Sequence, residues 1–312
     1  MNESNETTGV DFVLLGLFPG MKHADVLIGV IILVYVAALT GNSTLILLIL
    51  VDSRLHTPMY FLLRQLSLID LLLISTIVPK MATDFLSGKK SISNAACGTQ
   101  MFFYQMLGAA ESILLTLMCC DRSVAVCRPL RYPVIMNQRV CLVMVMGSWA
   151  GGALDALVQT AYTMHLPKCG PKEIEHFFCE VMAILSSSCE DTSANKSTLL
   201  VAGTVLLLIP LIIIFSSYSL IFFTVLRMNS PKGRNKALAT CSSHLMVVGL
   251  FYGPAIFTYM TPGSSHSPDR DKAVSVFFSI ITPTLNPFIY SLRNKDVLGA
   301  LRKIWERCLF SN

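Results

Sequence analysis

The stretch LTLMCCDRSVAVCRPLRYP, residues 115–133, places an acid and a base side by side directly after an apolar run. Asp121 and Arg122 can neutralise each other, whereas an unpaired guanidinium at the edge of an apolar layer is costly. The pattern therefore predicts an ion pair at the end of a helix. The plainer alternative is that the two residues only mark the start of a basic loop.

Two more carboxylates lie within apolar runs. At a rise of ~1.5 Å per residue, Asp70 lies about 18 Å beyond Pro58, and Glu111 lies about 21 Å beyond Cys97. Both reach a similar depth, and two carboxylates in a low-dielectric medium cannot both stay ionised without a cation. A sodium-like ion and a shared proton are equally consistent with the sequence, and separate hydrogen bonds are a third alternative. Asp155 has no evident partner, and we assign it no role.

Seven long apolar runs must position these side chains. The chain has 312 residues, of which 53% are hydrophobic and 14% charged, against about 25% charged in soluble domains. A helix needs about 20 apolar residues to cross a bilayer. The sequence therefore predicts an all-α membrane protein, a seven-transmembrane helix bundle over 26–292. The runs are 26–50, 58–79, 98–120, 140–164, 199–226, 237–261 and 273–292.

The segments outside the bundle are a polar N-terminal tail, 1–25, and a C-terminal segment, 293–312. In the latter, an apolar stripe faces a basic one, which predicts a short amphipathic C-terminal helix on the membrane surface. The stripe consists of Val297, Leu298, Leu301, Ile304 and Trp305. The runs show no internal repeat, which disfavours a transporter built from two related halves.

The distribution of basic residues predicts the orientation. Of the 24 lysines and arginines, 15 lie in segments on the same side as the C-terminus, so this side is expected to be cytoplasmic. The N-terminus is then extracellular in a multi-pass plasma membrane protein, and the sequons at Asn2 and Asn5 predict glycosylation there. The net positive charge follows from topology and gives no reason to expect a nucleic-acid partner.

Four of the ten cysteines fall on the predicted outer side, where disulfides form. Cys97, Cys169, Cys179 and Cys189 allow three pairings, and the sequence does not choose among them. A bridge from Cys97 would pin the loop after the fourth helix across the mouth of the bundle. Zinc binding by His176 and Cys179 is a weaker alternative, because an oxidising compartment favours disulfides.

A series of short motifs runs along the whole chain in a recognisable order. They are GN at 41–42, LHTPMYFLL from Leu55, LSLID from Leu66, PKM from Pro79, MCCDRSVAVCRPLRYP from Met118, HFFCE from His176, SY from Ser217, KALATCSSHL from Lys236, FYG from Phe251 and PTLNPFIYSLRN from Pro283. With seven spans, this order resembles the odorant receptors, a branch of the rhodopsin-like G-protein-coupled receptors.

The resemblance implies a receptor for a small volatile odorant that activates a heterotrimeric stimulatory G protein and raises cyclic AMP. Such a protein is not an enzyme, and it needs no cofactor beyond the sodium ion considered above. A trafficking helper is a further partner to consider. The same fold sensing a non-odorant metabolite is the first alternative. A transporter, channel or intramembrane enzyme is remote, because its only near candidate, His244 beside Ser242 and Ser243, lies within the KALATCSSHL motif.

The resemblance also gives Asp121 and Arg122 the role of a cytoplasmic latch that opens when the sixth helix swings outward. Other residues that it assigns to the switch and to G-protein coupling are Tyr218, His244, Asn286, Pro287 and Tyr290. Asn42 and Asn286 would complete the polar cluster around the two buried carboxylates.

The chain departs from the usual motif near the latch. Cys119, Cys120 and Ser123 replace an alanine and two tyrosines, Arg128 replaces the commoner histidine, and Arg64 replaces a small residue. These changes put the efficiency of coupling in doubt, and they leave the fold class unaffected.

The ligand pocket implied by the resemblance lies among the outer halves of helices three, five, six and seven. Helical spacing then selects the faces: the candidate contacts are Tyr104, Gln105, Gly108, Ala109, Ser112, Ala202, Gly203, Leu206, Tyr252, Ile256 and Tyr259. None is charged, so the expected ligand is small, neutral and mainly apolar. The alternative for each residue is ordinary helix packing. A ten-atom ligand would bind with roughly millimolar to micromolar affinity.

Overall fold

The structure, a computed structural model, describes residues 12–17, 23–167, 172–188, 191–260 and 267–310. Seven of its helices are long and apolar enough to cross a membrane, which confirms the predicted all-α bundle. They are α1 (Ala24–Val51), α2 (Pro58–Ser87), α3 (Asn94–Cys127), α4 (Gln138–Met164), α5 (Ser193–Leu226), α6 (Pro231–Met260) and α7 (Pro268–Ser291). A further helix, α8 (Lys295–Phe310), follows α7.

The helix ends are set by local capping rather than by the ends of the apolar runs. Helix α2 starts at Pro58, whose fixed φ suits the first helical position, and ends at Ser87, just before Gly88, which has a left-handed φ of 68°. The Ser93 side chain caps α3 by accepting the Ala96 N–H at 3.2 Å. Helix α2 continues through Pro79, and α3 extends beyond its apolar run at both ends, so both helices are longer than the predicted runs.

Helix α3 is the centre of the bundle and packs against α2, α4, α5 and α6. Its contact with α4 depends on Gly152. A Cβ at this position would lie 2.4 Å from the carbonyl oxygen of Met106 and 2.9 Å from the backbone nitrogen of Ala110. Only glycine allows the two backbones to approach this closely. Helix α1 packs on the other side of the bundle, against α2 and α7.

Two spanning helices contain a π-helical turn that the sequence did not predict. In α5 it covers Thr204–Leu208, and in α7 it covers Phe277–Ile281. A π turn holds one more residue than an α turn and turns the following side chains to a new direction, and such turns are frequent at functional sites.

A small three-stranded sheet covers one end of the bundle, and the sequence did not predict it either. The strands are β1 (Phe12–Leu14), β2 (Ser91–Ile92) and β3 (Glu173–Ile174). The central strand β1 pairs antiparallel with β2 and parallel with β3. Cys97 and Cys179 form a disulfide beside it, and we call this end the disulfide end.

The opposite end carries Asp121 and Arg122, and we call it the Arg122 end. A 3₁₀ turn, Pro129–Arg131, and a one-turn helix, Tyr132–Ile135, connect α3 to α4 there. In α8, Val297 and Ala300 are fully buried, whereas Leu298 and Leu301 are exposed. Part of the predicted apolar stripe therefore packs on the bundle, and part stays free to face lipid.

Four residues with predicted roles lie outside the described residues. They are the glycosylation candidates Asn2 and Asn5 and the outer cysteines Cys169 and Cys189. Glycosylation at the two asparagines stays a prediction.

Candidate functional site

A cavity opens between α3, α5, α6 and α7 in the half of the bundle nearer the disulfide end. The space between its walls, including its mouth, is about 480 Å³. Nine of the eleven candidate contacts line it: Tyr104, Gln105, Gly108, Ala109, Ser112, Ala202, Gly203, Leu206 and Tyr259. The helical stripes predicted on α3 and α5 therefore do face a common space.

The α6 face toward this cavity differs from the predicted one. Phe251, Ala255 and Tyr259, spaced four residues apart, line it, whereas Tyr252 and Ile256 lie beside it. The hydroxyl of Tyr252 donates to the Ser112 carbonyl at 3.1 Å. The lining residues that the sequence analysis missed are Leu199, Leu207, Phe251, Ala255 and Phe278. Leu207 and Phe278 belong to the two π turns, whose positions have no clear sequence signal.

The polar groups around the cavity are paired with protein partners. Gln105 donates its side-chain N–H to the Asp155 carboxylate at 3.1 Å, so Asp155 has a partner that the sequence analysis did not find. A carboxylate only accepts, so the Gln105 amide nitrogen faces α4. Ser112 donates to the Leu206 carbonyl in the π turn of α5. The lining that remains is mainly apolar and carries no charged side chain in the described part of the chain.

A loop segment that contacts the cavity residue Tyr104 is anchored to α3. The Phe178 ring packs 4.7 Å from the Tyr104 ring, centroid to centroid. The next residue, Cys179, forms the disulfide with Cys97, and its N–H donates to the Gln100 side-chain oxygen at 2.9 Å. This pairing selects one of the three alternatives. It also contradicts zinc binding by His176 and Cys179, because the sulfur of Cys179 is in the disulfide.

The His176 imidazole is buried in the same loop and stacks on Phe177 at a centroid distance of 4.7 Å. Burial, and secondly the positive charge of Lys272, lower the pKa of His176 to about 3. The imidazole is therefore neutral at physiological pH, and this loop gains no positive charge from it.

A buried polar cluster lies deeper in the bundle, between α2, α3 and α7. The Asn286 side-chain nitrogen donates to both carboxylate oxygens of Asp70, each at 3.1 Å, and Asn286 also bonds the Glu111 carboxylate. All three residues are at most 1% exposed. One oxygen each of Glu111, Asn286 and Asn42 has no hydrogen-bond partner among the described residues. The free oxygens of Glu111 and Asn286 beside Asp70 are the kind of ligand that a hard cation such as sodium prefers.

Asn42 approaches this cluster from α1 without bonding to the carboxylates. Its side-chain nitrogen donates to the carbonyls of Pro283 at 2.9 Å and Ala38 at 3.1 Å. It therefore ties α1 to α7 through a backbone carbonyl. No group of three His, Cys, Asp or Glu side chains suited to a metal ion occurs within the described ranges.

Asp121 and Arg122 form the predicted ion pair at the Arg122 end. The Arg122 Nε donates to the Asp121 carboxylate at 3.0 Å, and a terminal nitrogen of the guanidinium donates to the same oxygen. The Tyr132 hydroxyl donates to the other oxygen at 2.7 Å. Burial and the neighbouring charge of Asp121 raise the pKa of Tyr132, so its hydroxyl remains a donor. Both carboxylate oxygens are thus engaged.

Comparison with known proteins identifies the family. The sequence profile of the olfactory receptors matches residues 31–307. The chain belongs to the olfactory receptor family. Human olfactory receptor 2T27 is 52% identical to the receptor over 311 residues, which cover 100% of this chain and 98% of that protein. Mouse olfactory receptor 2V1 is 52% identical over 304 residues, 97% of this chain and 96% of its own.

Family membership, together with the seven apolar helices, makes the protein a multi-pass membrane receptor of the G-protein-coupled class with an odorant receptor role. The receptor is therefore not an enzyme, and its family needs no cofactor.

Several side chains near the ion pair come together as an inner cluster. The Tyr218 hydroxyl and the His244 Nδ1 lie 2.7 Å apart and join α5 to α6. His244 and Tyr290 line a small cavity with Arg122. The buried Tyr290 hydroxyl has no hydrogen-bond partner in the described part of the receptor. Pro287, also assigned to the switch, packs closely on Gly41 of α1. A Cβ at Gly41 would lie 3.1 Å from the Pro287 ring.

The departures from the family motif lie around this cluster. Cys119 is fully buried, and its Sγ lies 3.7 Å from the Ile214 carbonyl of α5. Cys120 and Ser123 are half-buried at the periphery of α3. Cys120 and Ser123 therefore replace bulkier side chains next to the ion pair, and none of its three hydrogen-bonding groups is replaced.

Proposed function

We propose that the receptor binds a small, neutral, mainly apolar volatile molecule in the cavity between α3, α5, α6 and α7. We further propose that binding activates a stimulatory, olfactory-type G protein and raises cyclic AMP. The single observation that carries the first part is the uncharged lining of a cavity shared by four helices. A charged amine or carboxylate would lose its hydration there without gaining a counter-ion.

The few polar groups that line the cavity limit the kind of ligand further. Because the nitrogen of Gln105 is held by Asp155, the amide oxygen is the group that remains for a ligand, and it favours a ligand that carries a donor such as a hydroxyl. With few polar contacts, affinity is limited to roughly millimolar to micromolar.

The proposed orientation has the disulfide end outside the cell and the Arg122 end in the cytoplasm of a plasma membrane receptor. Two observations support it. The disulfide between Cys97 and Cys179 needs an oxidising compartment. Most lysines and arginines lie in segments on the side of the C-terminus.

The proposed coupling mechanism starts from a closed ion pair. While Asp121, which also accepts a hydrogen bond from Tyr132, pairs with Arg122, the guanidinium is unavailable to a partner. An outward movement of α6 would separate His244 from Tyr218 and open a space beside Arg122 for a helix of the G protein. In the same proposal, a sodium ion or a shared proton would neutralise the negative charge of the two buried carboxylates, Asp70 and Glu111.

The experiment is a dose-response measurement of cyclic AMP in cells that express the receptor and the stimulatory G protein, with a panel of small neutral volatiles. Gly108→Leu places a side chain in the cavity, because a Cβ at Gly108 has only ordinary contacts of 3.8 Å or more. Gly147→Leu is the matched control, since its Cβ would meet nothing within 4 Å. Surface levels are measured with and without a trafficking helper.

The proposal predicts a ligand-dependent rise that Gly108→Leu weakens at least tenfold, equivalent to about 1.4 kcal/mol, and that Gly147→Leu leaves unchanged. An equal response of both variants and the wild type would exclude this cavity as the ligand site.

A further inference from the structure

A second, larger depression lies on the outside of the bundle at the Arg122 end, between the end of α1, the start of α2 and the start of α4. We call it the Arg64 groove. Its space, including the open side, is about 1170 Å³. Its apolar walls consist of Ile49, Leu50, Leu55, Phe61, Met136 and Cys141. The odorant receptor role uses none of these residues.

Arg64 is the unusual residue of this groove. It lies in the apolar part of α2, and its guanidinium carbon is 5.1 Å from the centroid of the Phe61 ring. Arg54, Arg122 and Arg302 each form an ion pair with a carboxylate. Among the described residues, no carboxylate pairs with Arg64.

A guanidinium at membrane depth without a counter-ion is costly, and a cation–π contact offsets only a part of that cost. A partner from outside the chain would supply the missing negative charge. The groove opens on the outside of the bundle, where the apolar side chain of Leu50 is exposed, so the nearest source of anions is the membrane itself.

We propose that the Arg64 groove binds an anionic phospholipid, with its phosphate on Arg64 and an acyl chain along the apolar walls. The planar guanidinium matches the geometry of phosphate oxygens and can bind two of them at once. The exposed side chains of His56, Thr57 and Gln138 line the rim and are suited to the rest of the headgroup. The leaflet is the cytoplasmic one, which rests on the orientation proposed above and is the leaflet rich in anionic lipids.

The position of the groove links lipid binding to the ion pair. Met136 forms part of its wall and directly follows the one-turn helix that contains Tyr132. A bound lipid therefore contacts the same loop that supplies the Tyr132 hydroxyl to Asp121.

The test is native mass spectrometry of the purified full-length receptor with phosphatidylserine or phosphatidylcholine added. Arg64→Gln removes the charge, and Arg139→Gln is the matched control, an exposed arginine at the same end that does not line the groove. The wild type is expected to retain phosphatidylserine over phosphatidylcholine. Arg64→Gln should weaken this retention about fivefold, the equivalent of about 1 kcal/mol per basic residue at an anionic surface, whereas Arg139→Gln changes it less than twofold.

Equal phosphatidylserine retention by Arg64→Gln and the wild type would overturn the proposal. Soluble glycerophosphoserine is the competitor that separates a lipid from a free phosphate. Complete displacement of the lipid by this headgroup alone would also overturn the proposal.

A second measurement covers the case in which Arg64→Gln does not fold. The thermal stability of the wild-type receptor should then rise with phosphatidylserine more than with phosphatidylcholine, and the absence of this difference would overturn the proposal. No odorant is used in either experiment, so a failure of the ligand proposal does not affect the result.

Discussion

Replacing Tyr132 by phenylalanine removes one of the two side chains that hold the Asp121 carboxylate. The tyrosine hydroxyl donates to one carboxylate oxygen at 2.7 Å, while Arg122 occupies the other. If this arrangement is the resting state, its loss should favour the state in which Arg122 is free. We therefore expect Tyr132→Phe to raise the activity of the receptor without ligand.

The size of the expected shift toward the active state follows from the type of hydrogen bond that is lost. A hydrogen bond to a charged group contributes about 1.5–3 kcal/mol, and the ion pair with Arg122 persists in the variant, so we use the lower value. A shift of about 1.4 kcal/mol changes an equilibrium tenfold. Since a minor state is typically populated at roughly 0.1–10%, the active fraction without ligand should rise about tenfold from a low starting value.

The assay is nucleotide exchange on the G protein in membranes that contain equal amounts of surface receptor, with and without an active odorant. Tyr162→Phe is the control, because Tyr162 is 55% exposed on α4. Tyr132→Phe should raise basal exchange about tenfold and lower the half-maximal odorant concentration. Basal exchange and half-maximal concentration within twofold of the wild type would refute the reasoning that this bond stabilises the resting state.

Three further predictions concern packing, ligand contact and pH. Gly152→Ala should lower the free energy of unfolding by about 1–3 kcal/mol, because the added methyl group would overlap the α3 backbone, whereas Gly147→Ala should leave it unchanged. Asp155→Ala should raise the half-maximal concentration of a hydroxyl-bearing odorant roughly two- to tenfold by releasing Gln105, and an unchanged value would contradict the pairing. The pKa of His176 is lowered from 6.5 in the unfolded chain to about 3 in the folded receptor. As the pH falls from 6.5 to 3, the unfolded chain therefore binds a proton before the folded receptor does, and the stability of the fold decreases. In thermal melts over this pH range, His176→Phe should weaken that decrease.

The parts of the fold that depend on hydrophobicity alone could be predicted from the sequence. The seven spans follow from runs of apolar residues, since a lipid environment requires every backbone group to be paired within a helix. The ion pair of Asp121 with Arg122 was also predictable, because the two residues are neighbours in the chain and face the edge of an apolar run.

Features that depend on tertiary geometry could not be predicted. Asp155 and Gln105 are 50 positions apart on different helices, and no pattern in either helix links them. Tyr259 lines the cavity as predicted, but Tyr252 and Ile256 are one position away from the lining residues of α6, because an apolar helix buried on several sides has no polar stripe to fix its rotation. The strands of the small sheet are two or three residues long, too short for a periodic pattern.

The disulfide pairing also depends on tertiary geometry and could not be predicted. Three pairings of the outer cysteines satisfied every sequence criterion, and only the approach of Cys179 to Cys97 distinguishes them. The Gln100 side chain, which accepts the Cys179 N–H, holds the loop at this place and has no signature in the sequence.

The most direct test of the central claim is cyclic AMP accumulation driven by an active volatile in cells that express the wild-type receptor or Arg122→Ala at equal surface levels. The claim predicts a ligand-dependent rise in the wild type that is lost in the variant, because the guanidinium beside Asp121 is the group released toward the G protein. A rise of the same size and potency in Arg122→Ala would contradict the claim that this ion pair controls coupling.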